Sequence, residues 1–161
     1  MTDIAREAAF HRAALLLGIE SGADVVQWAD NLIVDHAHVP KEILELSTVP
    51  PYDLSELRHA LQPLAAHEDA LMLRALFDRV RQDALSGTRT LKDTVTVLAQ
   101  ARSFLALPLE YFTNIDTLQD DHMLAMVGIG ASTASVESQV STWLSQFEGN
   151  ENEFHSECAR A

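Results

Sequence analysis

Residues 21–33 read Ser-Gly-Ala-Asp-Val-Val-Gln-Trp-Ala-Asp-Asn-Leu-Ile. Ser21 with Asp24 has the form of a capping box, in which each side chain satisfies a backbone N–H of the other. Val25, Trp28, Ala29 and Leu32 then recur at i, i+3, i+4 and i+7, the spacing that gathers apolar residues on one side of a helix. A capped amphipathic helix follows, and the rest of the chain repeats its grammar.

Toward the N-terminus, a helix is predicted from Thr2 to Leu17, with Ile4, Ala8 and Leu15 on one stripe and Gly18 in the position after its C-cap. Toward the C-terminus, Pro40 suits the first turn of a short helix through Leu46, since proline lacks only an N–H that is unpaired there. Pro50 and Pro51 stop it. Asp53 with Glu56 opens another helix carrying Leu54, Leu57 and Leu61, which Pro63 ends or bends. A long helix is expected from about Glu68 to Leu85, with Leu73, Leu76, Phe77 and Val80 inward and Gly87 closing it. Thr90 with Asp93 begins its antiparallel partner, carrying Leu91, Val95, Leu98 and Leu105. Leu107-Pro108 turns the chain into a short segment with Tyr111 and Phe112. Asp116 with Gln119 forms a further capping pair, ahead of Leu118, Met123, Met126 and Val127. Gly128 and Gly130 make a turn. The final helix starts near Thr133, holds Val136, Val140, Trp143, Leu144 and Phe147, and ends at Gly149.

These elements define an all-α, single-domain, multi-helix bundle of about seven to nine helices over residues 1–149. Residues 150–161 are polar apart from Phe154 and are expected to be a frayed tail. A stack of helical hairpins is the alternative architecture, but no period-matched duplication supports it.

Composition narrows the function. The 161 residues are 47% hydrophobic and 22% charged, as in globular proteins, and the net charge is −13. Nucleic-acid affinity comes largely from Lys and Arg meeting phosphates, so this charge argues against it. The charge is uneven: residues 71–102 hold 3 acids and 6 bases, whereas 103–161 hold 9 acids and 1 base. No apolar stretch approaches the ~20 residues that span a bilayer. No secretory signal is evident, and a cytoplasmic location is expected. The single cysteine, Cys158, is read as an incidental thiol beside Glu157.

No pattern of known chemistry emerges. There is no Gly-x-Ser-x-Gly elbow, and Gly128-Ile129-Gly130 lacks the residues that would complete a phosphate loop. His36 and His38, two apart, would lie on opposite sides of a helix and could hold a metal jointly only if the helix has ended before them. His67-Glu68 is not followed by a second His four residues later, since residue 71 is Leu. Asp116 and Asp120 share a helix face near Asp121 and His122, a set of oxygen and nitrogen donors suited to a divalent ion, although acids at a helix start serve the dipole equally well. Arg74, Arg79 and Arg81 alternate with Asp78 and Asp83, as on a solvated helix surface. Trp28 and Trp143 sit inside apolar stripes and are expected in the core. No catalytic residue, cofactor site or metal site is assigned.

Ala14-Leu-Leu-Leu-Gly-Ile19, Val25-Val-Gln-Trp-Ala-Asp-Asn-Leu-Ile33 and Pro40 to Ser47, ending Glu45-Leu46-Ser47, together resemble small helical bacterial proteins that are often uncharacterised. Some of these look like immunity proteins of toxin systems. The order Ile115-Asp116 through Gly130-Ala-Ser and a last amphipathic helix is similar as well, so the likeness covers most of the chain. It implies a helical protein-binding module with a cognate protein partner, such as a bacterial toxin. A basic toxin would complement the acidic balance. The net-acidic C-terminal third makes Asp116, Asp120, Asp121 and Glu137 the first candidates for partner binding. A regulatory or scaffold protein, or a metal-binding helical protein using Asp116, Asp120, Asp121 and His122, are the alternatives.

Overall fold

A computed structural model describes residues 3–67 and 69–160. Among these residues the chain is all α-helical, without strands. In order, the elements are α1 (Ile4–Leu16), α2 (Gly22–Asp35), α3 (Lys41–Leu46), α4 (Leu54–Leu61), α5 (Ala70–Leu85), α6 (Leu91–Phe104), α7 (Leu109–Met126), α8 (Thr133–Ser145) and α9 (Asn150–Arg160). The expected helix starts at Thr2 and Glu68 lie outside the described residues.

Most of the expected caps form. Ser21 and Asp24 make a reciprocal capping box on α2, and Thr90 and Asp93 make another on α6. Asp53 caps α4 by accepting from the Glu56 N–H. Pro40 stands at the N-cap of α3, whose first helical residue is Lys41. Gly18 takes φ +64°, a left-handed conformation that costs glycine little, and there α1 gives way to the Ile19 and Glu20 amides that return to the Ala14 carbonyl.

The chain folds as two compact units. The first comprises the described residues up to Met72 together with those from His155 onward; the second is Leu73–Phe154. In the first unit, Ala8 and Leu15 of α1 meet Val25, Ala29 and Leu32 of α2, Ile43 and Leu46 of α3, and Leu57 and Leu61 of α4. Gly22 permits the closest approach in this unit: a Cβ there would lie 1.9 Å from the Pro51 carbonyl oxygen and 2.7 Å from Leu57 Cδ1. Leu54, expected inward, is turned to solvent.

In the second unit, Leu73, Leu76, Phe77 and Val80 of α5 are all buried, with Val95, Leu98 and Ala101 of α6, Ile115 and Leu118 of α7, and Val136, Val140 and Leu144 of α8. An aromatic cluster ties three of these helices. Phe77 lies 5.8 Å from Tyr111, 5.3 Å from Trp143 and 5.2 Å from Phe147, mostly edge to face.

Three expectations need correction. Residues 150–160 are not a frayed tail: they form α9, with Phe154 and Cys158 fully buried one turn apart. The polarity of this stretch concealed the helix because Glu151, one of its inward residues, is matched by Arg79 at 3.2 Å and by Gln82 at 2.9 Å, while its own N–H donates to buried Asp78. Second, Tyr111 and Phe112 do not form a separate segment, and Asp116 is not an N-cap. Both lie within α7, which begins after Pro108 and runs unbroken to Met126. Third, Trp28 and Trp143 pack against the core but are partly rather than fully buried.

Candidate functional site

Pro108 has no N–H to leave unpaired, its carbonyl accepts from the Phe112 N–H, and α7 continues without a break until Val127 and Gly128. One side of this helix is inward, where Ile115, Leu118 and His122 are buried. The opposite side carries Leu109, Phe112, Asp116, Asp120, Met123 and Val127, residues three or four apart and therefore aligned along the helix. Leu109 is 80% exposed, Met123 59% and Val127 68%. Met126 and Ile129 add exposed apolar surface at the α7–α8 turn. Of the apolar residues that follow Asp116 in the sequence, Leu118 is buried, whereas Met123, Met126 and Val127 are exposed.

Asp116 sits in the middle of this seam. Arg102 of α6 grips it with Nε 2.6 Å from one carboxylate oxygen and Nη2 3.0 Å from the other. The same guanidinium lies 4.2 Å above the Phe112 ring centroid. The interaction that fixes Asp116 is thus tertiary, across 14 residues of sequence, which is why the capping pattern misassigned it. Asp120 is exposed, and Asp121 lies beside it at the flank. Neither takes part in an ion pair among the described residues.

Glu137 does not join them. With Arg81, Arg89, Thr94 and Ser141 it lines a small groove of about 150 Å³. Ser138, Gln139 and Thr142 of α8 line a different groove, shared with Asn114 and Thr117 of α7. Of the four proposed binding residues, the structure therefore places Asp116 and Asp120 on one seam, Asp121 at its edge, and Glu137 elsewhere. His122 is buried on the inward side. Among the described residues no group of three or more His, Cys, Asp or Glu side chains is arranged to hold a metal ion, so the set Asp116, Asp120, Asp121 and His122 does not assemble as a ligand sphere. The same holds for His36, which ends α2 with Nδ1 3.1 Å from the Leu32 carbonyl oxygen.

Sequence inspection missed a buried polar network in the first unit. Trp28 Nε1 donates to Glu7 Oε2 at 2.9 Å, and the Trp28 ring lies against His11, centroids 4.5 Å apart. His11 Nδ1 stands 2.7 Å from Glu20 Oε2. His155 Nδ1 is 3.9 Å from the other Glu7 oxygen, a charge contact longer than a direct hydrogen bond. Burial opposes ionisation of Glu7, but His155, the Trp28 N–H and the charge of His11 outweigh it, holding the carboxyl below its usual range. The signal available in the sequence was Glu7 and His11 one turn apart on the apolar side of α1. Nearby Cys158 is buried, and burial together with the Glu7 and Asp3 carboxylates pushes its thiol up to about 12. Such a thiol is protonated and unreactive.

A wide cleft of about 830 Å³ in the first unit is lined by Glu42, Glu45, Glu56 and His59 among others. Glu45 is already paired with Lys41 at 2.7 Å. Among the described residues no helix is long and apolar enough to cross a membrane. No family model, curated protein or solved structure matches the chain.

Proposed function

We propose that the protein is a binding module acting by direct protein–protein contact, and specifically an immunity-like inhibitor that neutralises a cognate bacterial toxin in the cytoplasm. The observation that supports this most is the α7 seam: Leu109, Met123, Val127, Met126 and Ile129 present apolar surface to solvent, and the first and last of the seam bracket carboxylates. Exposed apolar residues set beside charged ones characterise interaction surfaces, and here Met123, Met126, Val127 and Ile129 cluster at one end of the seam and Leu109 stands at the other. A net charge of −13 adds complementarity to a basic toxin and speeds its encounter. The resemblance to immunity proteins in the Leu-Leu-Leu-Gly, Trp-Ala-Asp and Glu-Leu-Ser segments points the same way.

The test is co-expression with the product of the neighbouring gene. Restored growth, with the two proteins eluting as one stoichiometric complex in size-exclusion chromatography, is the expected result. A toxic neighbour whose toxicity is unchanged and which elutes separately would refute the immunity assignment.

A further inference from the structure

We infer that the solvent-facing seam of α7 is the docking site for a basic amphipathic helix of the partner protein. This rests on the binding function proposed above and specifies its chemistry. Leu109, Phe112, Asp116, Asp120, Met123 and Val127 follow one another at intervals of three and four residues, the spacing with which one helix presents a continuous line to another. At 1.5 Å per residue the line is about 27 Å long, enough for five turns of a partner helix. Its two ends are apolar, and its centre carries Asp116, already paired with Arg102, and the carboxylate of Asp120, unpaired within the described residues. A complementary helix therefore carries apolar residues near both ends and an Arg or Lys opposite Asp120.

The centre also discriminates among occupants. A second copy of this chain, docked antiparallel about a twofold axis, would set Asp116 of one molecule against Asp120 of the other, twice over. Arg102 compensates only Asp116, so four carboxylates would share one stretch with two cations. Like charges so juxtaposed oppose self-association. An anionic lipid surface or a nucleic acid meets the same carboxylates and is repelled. A cationic helix gains from them, and Asp120, unpaired within the described residues, is the group with most to gain.

The probe is a synthetic helix-stabilised peptide with Leu at the positions facing Leu109, Phe112, Met123 and Val127 and Arg facing Asp120. It is titrated into the isotope-labelled full chain and followed by methyl and amide chemical shifts. The expected result is saturable shifts at Leu109, Met123 and Val127. Affinity should fall about tenfold in Asp120→Lys, a loss of roughly 1.4 kcal/mol, and fall again as salt screens the charges. A control peptide with Glu in place of Arg should not bind. Shifts centred elsewhere, equal binding of the Glu peptide, or no saturation by the Arg peptide each overturn the inference. Asp120 and Met123 are exposed, so Asp120→Lys and Met123→Asp should leave the helical circular dichroism unchanged; Asp120→Asn serves as a milder second variant. The same variants separate this inference from the immunity assignment. Full neutralisation of the toxin by Met123→Asp and Asp120→Lys would reject the seam and keep the function. Peptide binding as described, with no toxin neutralised, would keep the seam and reject the function.

Discussion

The two tryptophans invite a paired substitution to Phe, because the structure gives their indole N–H groups opposite circumstances. Trp28 Nε1 donates to the Glu7 carboxylate at 2.9 Å. Trp143 Nε1 is buried with no acceptor among the described residues. Trp28→Phe removes a charge-assisted hydrogen bond and leaves a buried carboxylate short of a donor, a change worth about 1.5–3 kcal/mol, to which lost ring contact with His11 adds. Trp143→Phe removes an orphaned donor whose burial itself costs about 1–3 kcal/mol, and that relief offsets the smaller ring's loss of packing with Phe77, Tyr111 and Phe147. The net effect at Trp143 should lie within about 1 kcal/mol of zero. The two variants should therefore differ by roughly 2 kcal/mol in free energy of unfolding. Urea denaturation followed by circular dichroism at the helical minimum, with matched slopes, reads that difference directly. Equal destabilisation by both, or greater destabilisation at Trp143, would refute the assignment of their hydrogen-bonding roles.

Phe154→Ala should cost about 3–5 kcal/mol, since the ring is fully buried, whereas Glu153→Ala, exposed on the same helix, should stay within about 0.5 kcal/mol; calorimetry distinguishes them. Gly22→Ala should destabilise by about 1–3 kcal/mol or more, because its methyl group collides with the backbone of Pro51, and a melting temperature within error of the parent protein would contradict that approach. Glu7 has a folded-state pKa below its ordinary 4.5, so its contribution is complete above that pH and is lost as pH falls through the lowered value. Glu7→Gln should accordingly flatten the acid limb of the stability profile, measured by urea midpoint against pH, and an unchanged limb would exclude Glu7 from it. Cys158 should resist iodoacetamide at neutral pH in the native protein and react once urea unfolds it, as mass spectrometry would show.

What the sequence made legible was whatever is settled within a few residues. Ser21 with Asp24 and Thr90 with Asp93 close their capping boxes over three residues. The inward set Leu73, Leu76, Phe77 and Val80 is similarly encoded by its own spacing. Illegibility begins where a distant partner changes the meaning of a residue. Asp116 has the pattern of a cap but belongs to Arg102. Glu151 has the polarity of a tail but is inward because Arg79 and Gln82 receive it. Glu7 and Trp28 are 21 residues apart, and only the packing of α1 with α2 reveals that they share a bond. For the candidate site, the acids were visible, but their grouping was not: the sequence puts Glu137 on a later helix than Asp116 and Asp120 without saying whether the two helices bring them together. Leu54 shows the converse: it shares the apolar spacing of Leu57 and Leu61 but is exposed, since spacing marks a helix face without saying how far it is covered.

The first unit is discontinuous in sequence. Its N-terminal portion is completed by residues beginning at His155, and the Asp3 N–H donates to the Cys158 carbonyl at 2.8 Å. The second unit stands as an insertion between them. Closing so long a loop costs little extra, since each doubling of loop length adds only about 0.6 kcal/mol. Order of events is affected more than stability. The helices of the second unit follow one another through short connections and can collapse locally, whereas the first cannot be finished by growth outward from its N-terminus. Buried Cys158 and its bond to Asp3 arrive on the far side of the insertion, so this closure of the first unit waits until Leu73–Phe154 has been traversed.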